Sequence, residues 1–248
     1  MKTLMKRASS LRFLQVLSML ILAVGTHAAR AQAFCASDGQ PQPVALLERF
    51  INSDCESCWK DPATAKALPG QAVLDWIVPG GKGDDAPLSA VASRDGLSRL
   101  EALGQVVPKE ASNSLRKVKG LKGSRLRVAH GLVLSGYVGV SIGFKPLPAR
   151  TKSQAWSAWL ALVESLPEGT EGTPVARNLV RNALQLNGDG RSQLSKKERS
   201  HFFESRVMSV AQGVNPDRLR VIGWLEDASG QVLTAAQSRC APMAGQGR

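Results

Sequence analysis

The sequence predicts an α+β chain in which a short α/β part precedes an antiparallel β-sandwich. Three observations lead there. Residues 44–104 alternate apolar runs of strand length with stretches of helical spacing. Beyond residue 120 the texture changes to short Val-, Gly- and Ser-rich runs separated by turn residues, as in a sandwich. A Cys-x-x-Cys, Cys55-Glu56-Ser57-Cys58, stands where the first apolar run gives way to a helix start.

Residues 1–33 have the three parts of a secretory signal. Lys2, Lys6, Arg7 and Arg12 form the charged end, residues 13–24 the apolar stretch, and Ala31-Gln32-Ala33 the cleavage site. Phe34 is then the first mature residue, with a second cleavage position after Ala31. Phe34 before Cys35 argues against lipoprotein processing, which needs a small residue there. No later run approaches about 18 apolar residues, so no transmembrane helix is expected. The expected location is the periplasm or the exterior, after cleavage near Ala33.

The 248 residues carry 32 Lys and Arg against 20 Asp and Glu, and 43% are apolar. That suffices for one large domain or two small ones. Five of the bases and none of the acids fall in residues 1–33, which leaves 27 against 20 in the mature chain. No aromatic-interleaved basic platform accompanies the excess, so it reads as a solvated surface with weak attraction to anionic lipid or polymer, not as a nucleic-acid site.

Taken in order, residues 34–43 are a polar lead-in with Gly39, Pro41 and Pro43. Residues 44–50 read as a buried strand. Asn52, Ser53 and Asp54 are helix-capping types. A helix is expected from Cys55 to about Leu68, limited by Pro62 and ended by Pro69-Gly70. Residues 72–78, with Asp75 and Trp76 inside them, form a second strand. Residues 79–85 are a loop, and Leu88, Val91, Leu97, Leu100 and Leu103 have helical spacing. Strand, helix, strand, helix, with Cys-x-x-Cys at the first junction, is a thioredoxin-like placement. Residues 109–127 read as a linker or an exposed hairpin. The rest, with runs at 126–144, 156–166, 175–186, 202–211, 219–226 and 231–236, is the sandwich. The organisation expected is a signal at 1–33, a truncated thioredoxin-like part at 34–120, a β-sandwich at 121–240 and a disordered tail at 241–248.

Export places the four cysteines in an oxidising compartment, where an even count suggests two disulfides among three pairings. Cys55 and Cys58 are close enough to pair locally, which leaves Cys35 and Cys240. Cys55–Cys58 has two functional readings. In the first, Cys55 attacks a disulfide and Cys58 resolves the mixed disulfide. In the second, the pair is a fixed brace in a non-catalytic envelope module. Asp54 and Glu56 favour the brace, since carboxylates beside a thiolate raise its pKa. So does the lack of a clear proline loop: only Pro108, in Val106-Val107-Pro108, is placed for one, and no clear strand follows it.

A zinc site on the pair would need further ligands, and His130 and His201 stand singly, so no metal and no cofactor is expected. Copper(I) held by the thiol pair alone lacks a supporting Met cluster. Residues 131–143 lack the Lys-Ser/Thr of a phosphate loop. Asn187-Gly188-Asp189-Gly190 lacks later acidic ligands for calcium, Glu198 being too isolated, and reads as a hairpin turn. Asp84-Asp85 reads as a solvated cap. Trp156 and Trp159 read as core anchors. The expected partner is an unidentified protein thiol or envelope component.

Several islands resemble one family. Cys35-Ala36-Ser37, Pro43-Val44-Ala45-Leu46-Leu47-Glu48 and Ser53-Asp54-Cys55-Glu56-Ser57-Cys58 are similar to the start of the secreted domain of unknown function 1223 family. So are Val73-Leu74-Asp75-Trp76, Trp159 to Val163, Gly172-Thr173-Pro174-Val175-Ala176-Arg177-Asn178, Gly223-Trp224-Leu225-Glu226-Asp227, the hairpin partner from Gly230, and Cys240. The resemblance implies a thioredoxin-like N-terminal part, and it carries no settled activity. Three departures stand out, one being a shortened aromatic-rich second-strand segment. Trp59-Lys60-Asp61-Pro62 replaces the family's Pro-Pro-Ala-Asp, and the family's Thr-Pro-Gln stretch has no match.

Overall fold

A computed structural model describes residues 35–145, 156–187 and 202–240. The expected signal at 1–33, the tail at 241–248, Gly188 to Gly190, Glu198 and His201 lie outside these residues. The chain is mostly β and forms two sheets.

Strand β1 (Cys35–Ala36) precedes β2 (Ala45–Asn52), a single helical turn α1 (Glu56–Trp59) and β3 (Gln71–Val78). Helix α2 (Arg94–Ala102) and β4 (Ala111–Lys117) follow. Then come β5 (Arg125–Leu134), β6 (Tyr137–Lys145), β7 (Trp156–Leu166), β8 (Arg177–Asn187) and β9 (Phe202–Ser209). The last are β10 (Leu219–Asp227), β11 (Val232–Gln237) and β12 (Arg239–Cys240). One sheet has the order β12-β1-β5-β6-β9, the other β11-β10-β7-β8-β3-β2-β4. The pairs β2–β3 and β3–β8 are parallel, and the remaining pairs are antiparallel.

Two local expectations differ from the structure. The helix expected to Leu68 stops at Trp59. Pro62 weakens its continuation, and two buried guanidiniums claim the carbonyls of Trp59 and Ala65 that a helix would use. Residues 109–127 are neither a bare linker nor a hairpin: they contain β4, which pairs antiparallel with β2. Ser112, Asn113 and Ser114 give β4 little apolar alternation, and it lies at the sheet edge, where polar strands are common. The boundary expected at residue 120 falls between β4 and β5. The seven-stranded sheet takes strands from both sides of it.

Alternation along the strands buries apolar side chains on both faces of that sheet. On one face, Ala158, Leu160 and Leu162 meet Val128, Val140 and Ile142 of the smaller sheet. Gly223 permits this contact, because a Cβ there would overlap Val128 and Ile142. On the other face, Leu46, Phe50, Trp76, Trp159 and Trp224 pack with Leu100 of α2. A third cluster, Ile51, Trp59, Ile77, Leu166 and Leu179, lies beneath α1.

Candidate functional site

Residues 52–58 leave the carboxyl end of β2, beside the carboxyl end of its parallel neighbour β3. Asn52 organises this end. Its carbonyl accepts from Cys55 N–H at 2.9 Å, and its Oδ1 accepts from Asp54 N–H at 2.9 Å. Its Nδ2 donates to the Pro108 carbonyl at 3.0 Å, and its backbone N–H donates to the Glu110 carbonyl at 2.8 Å. Pro108 is thereby tied to the Cys-x-x-Cys loop, and a strand, β4, does follow it. Val106 and Val107 beside it are exposed.

Cys55 and Cys58 are joined by a disulfide, and both are half-buried. Cys55 caps α1: its Sγ accepts from Cys58 N–H at 3.3 Å, with the Ser57 hydroxyl at 3.4 Å. The two flanking acids are occupied elsewhere. Asp54 accepts backbone N–H bonds from Gly81 at 2.8 Å and Lys82 at 3.3 Å. Gly80 must lack a side chain, since a Cβ there would overlap Asn52 Oδ1 and Asp54 Oδ1. Glu56 pairs with Lys60 at 2.6 Å, and that hydrogen bond lowers the carboxyl below its ordinary range. The sequence reading set both acids against a thiolate; the structure turns each towards a donor of its own.

Beneath α1 lies a buried charge set that spacing alone did not reveal. Asp75 of β3 accepts from Arg49 Nη2 at 2.7 Å and from Arg177 Nη1 at 3.0 Å. All three side chains are almost completely buried. Arg177 also donates to the carbonyls of Trp59 at 2.8 Å and Cys58 at 3.4 Å, and lies 4.5 Å from the Trp59 ring centroid. Burial pulls the Arg177 guanidinium below its ordinary value, with Asp75 opposing that shift, and it stays charged at neutral pH. Two guanidiniums thus face one buried carboxylate under the disulfide. A signal for this set was present: Arg49 and Asp75 sit inside apolar strand runs, where a charge needs a buried partner.

The other sequence candidates are elsewhere. Cys35 and Cys240 form a second disulfide between β1 and β12. His130, which stands alone in the sequence, is the cross-strand neighbour of Cys35. Asp84 and Asp85 are exposed in a short turn. Trp156 packs edge-on against Phe202, and Trp159 stacks on Trp224. No helix among the described residues is long and apolar enough to cross a membrane.

No family model and no curated protein matches the chain. Among solved structures it is similar to HBP35 of Porphyromonas gingivalis, at 10% identity and TM-score 0.47, over 85% of this chain and 80% of that one. A DUF3823 family protein from Bacteroides ovatus aligns at 9% identity and TM-score 0.30, over 80% and 97% of the two chains. Chicken MD-1 complexed with lipid IVa aligns at 13% identity and TM-score 0.23, over 50% and 93%.

Proposed function

We propose that this is an exported protein that exchanges disulfides with other proteins through Cys55 and Cys58, as a divergent thioredoxin-like member of the domain of unknown function 1223 family. The observation that carries the reading is the half-buried Cys55–Cys58 disulfide set over two buried arginines that share one carboxylate. A positive charge near the pair stabilises a thiolate, hence the reduced form, and makes the disulfide a better oxidant. Cys58 N–H and the Ser57 hydroxyl favour negative charge on the Cys55 sulfur in particular.

The mixed disulfide forms on Cys55, whose stabilised thiolate is the better leaving group in the second of two steps. A substrate thiolate attacks Cys55 Sγ, the Cys55–Cys58 bond breaks, and Cys58 leaves as a thiolate. A second substrate thiolate then attacks the substrate sulfur of the mixed disulfide and releases Cys55. The substrate is oxidised to a disulfide and the protein reduced to a dithiol, with any proton exchange left to solvent. Exposed Val106 and Val107 give an incoming polypeptide an apolar surface beside the Pro108 loop.

The competing reading is a fixed brace in a non-catalytic envelope module. It is favoured by the brevity of α1 and by Arg177 holding the carbonyls of Cys58 and Trp59. Cys58→Ser separates the two. Exchange predicts that this variant, incubated with a cysteine-containing peptide disulfide, accumulates a mixed disulfide at Cys55. Absence of that adduct by intact mass, with Cys55 free and alkylatable, leaves the brace.

A further inference from the structure

Away from Cys55 and Cys58, three metal-ligating residues lie side by side across three strands. Cys35 on β1 is the direct partner of Cys240 on β12 and of His130 on β5. Directly opposed residues on neighbouring strands bring their side chains together on one face. One ligand atom from each of the three lies within 4.8 Å of the others. Cys35 and His130 are buried and Cys240 is half-buried.

His130 supplies an independent sign of a ligand. Its Nδ1 lies 3.0 Å from the Gly131 carbonyl oxygen, and in the tautomer that donates this bond Nε2 carries the lone pair. Nε2 is buried and makes no hydrogen bond. The Leu219 carbonyl is the ring's other backbone neighbour, and accepting from Arg220 Nη1 at 2.6 Å leaves it a second lone pair, so it is the tautomer held by Gly131 that leaves Nε2 open to a metal. A histidine whose Nδ1–H is held by a backbone carbonyl while Nε2 stays open has the arrangement that metal-binding imidazoles use.

We propose that the dithiol form of Cys35 and Cys240, together with His130 Nε2, binds one Zn2+ ion, so that the disulfide gates a metal site. A dithiol reductant donates two electrons and two protons: the Cys35–Cys240 bond breaks, two thiols form, and the reductant becomes its own disulfide. Zn2+ then displaces both thiol protons to solvent and takes two thiolates and one imidazole, with water in the fourth position. Arg220 Nη1, 3.2 Å from Cys240 Sγ, donates to a thiolate in that state. This inference does not depend on exchange at Cys55 and Cys58.

The test uses the mature chain carrying Cys55→Ser and Cys58→Ser, so that no other thiol contributes. The oxidised protein is expected to bind no Zn2+. After reduction it is expected to bind one equivalent, to protect both thiols from alkylation, and to show thiolate-to-metal charge transfer with Co2+. His130→Gln is expected to weaken Zn2+ binding more than about 100-fold, beyond the range typical of outer-shell changes. His130→Cys should restore binding with stronger charge transfer. No uptake by the reduced chain overturns the proposal. So does undiminished binding by His130→Gln, which would leave the two thiols as the whole site. Circular dichroism of each reduced variant, with and without Zn2+, separates a missing ligand from a missing fold. If the reduced parent is unfolded, Zn2+ must refold it for the proposal to stand.

Discussion

Glu48 and Arg49 are neighbours on β2, and alternation sends them to opposite faces of the same sheet. Each belongs to a different buried charge network. Glu48 and Glu226 accept from Arg99 and Arg116, two carboxylates against two guanidiniums. Arg99 also lies 4.7 Å from the Trp159 ring centroid and 5.1 Å from that of Trp224. Arg49 and Arg177 share Asp75, two guanidiniums against one carboxylate. The first network is balanced and ties α2, β4 and β10 to β2. The second sets two buried guanidiniums on one buried carboxylate, with Asp61 as a further acid near Arg177, and touches the carbonyl of Cys58. A buried network with matched charges can serve structure alone. One with more guanidiniums than buried carboxylates beneath a disulfide would, under the proposed exchange function, favour negative charge on the sulfurs above it.

The largest expected effects are on stability, and they should be alike for the two networks. Asp75→Asn strips two buried guanidiniums of their carboxylate, and Arg99→Met leaves two buried carboxylates short of a donor. Each should cost about 3–5 kcal/mol, read as a lower midpoint of chemical unfolding with the disulfides intact. The next effect separates the networks. Arg177→Met leaves Arg49 matched to Asp75 one to one, and should make the Cys55–Cys58 pair more reducing by about 30 mV, equivalent to about 1.4 kcal/mol. Arg99→Met should leave that potential unchanged. Equal shifts in both variants would dissolve the distinction.

Acid should probe the balanced network. Burial alone would raise the Glu226 carboxyl, but Arg99 and Arg116 outweigh it and hold the group below its ordinary 4.5. A lowered folded value means that the unfolded chain takes up the proton more readily. This contribution is therefore fully present above pH 4.5 and is lost as pH falls through the lower folded value. Glu226→Gln should flatten the acid limb of the unfolding midpoint against pH. The smallest effect is expected at the surface: Lys60→Ala removes an exposed pair with Glu56 and should leave the melting temperature unchanged within error.

What the sequence made legible follows the range of the interactions. Strands β2 and β3 were visible because each is a mainly apolar run of strand length, and the Cys-x-x-Cys because its residues are three apart. The charge networks join residues 26 to 127 positions apart, so no local pattern contains them. Their trace was a charge inside an apolar run: Glu48 and Arg49, Asp75, and Glu226. The start of α1 was legible but its early end was not, because Arg177 takes the carbonyls of Cys58 and Trp59 and Arg49 that of Ala65, tertiary contacts that override helical preference. His130 gave no sign by spacing, since only strand pairing brings it beside Cys35.

The reduction potential of Cys55–Cys58, measured by thiol trapping across a redox titration with Cys35–Cys240 resolved separately, tests the central claim most directly. Exchange over two buried guanidiniums that share one buried carboxylate predicts a value within the range of known oxidoreductases, about −120 to −270 mV, and towards its oxidising end. A value below about −300 mV would place the pair among structural disulfides and contradict it.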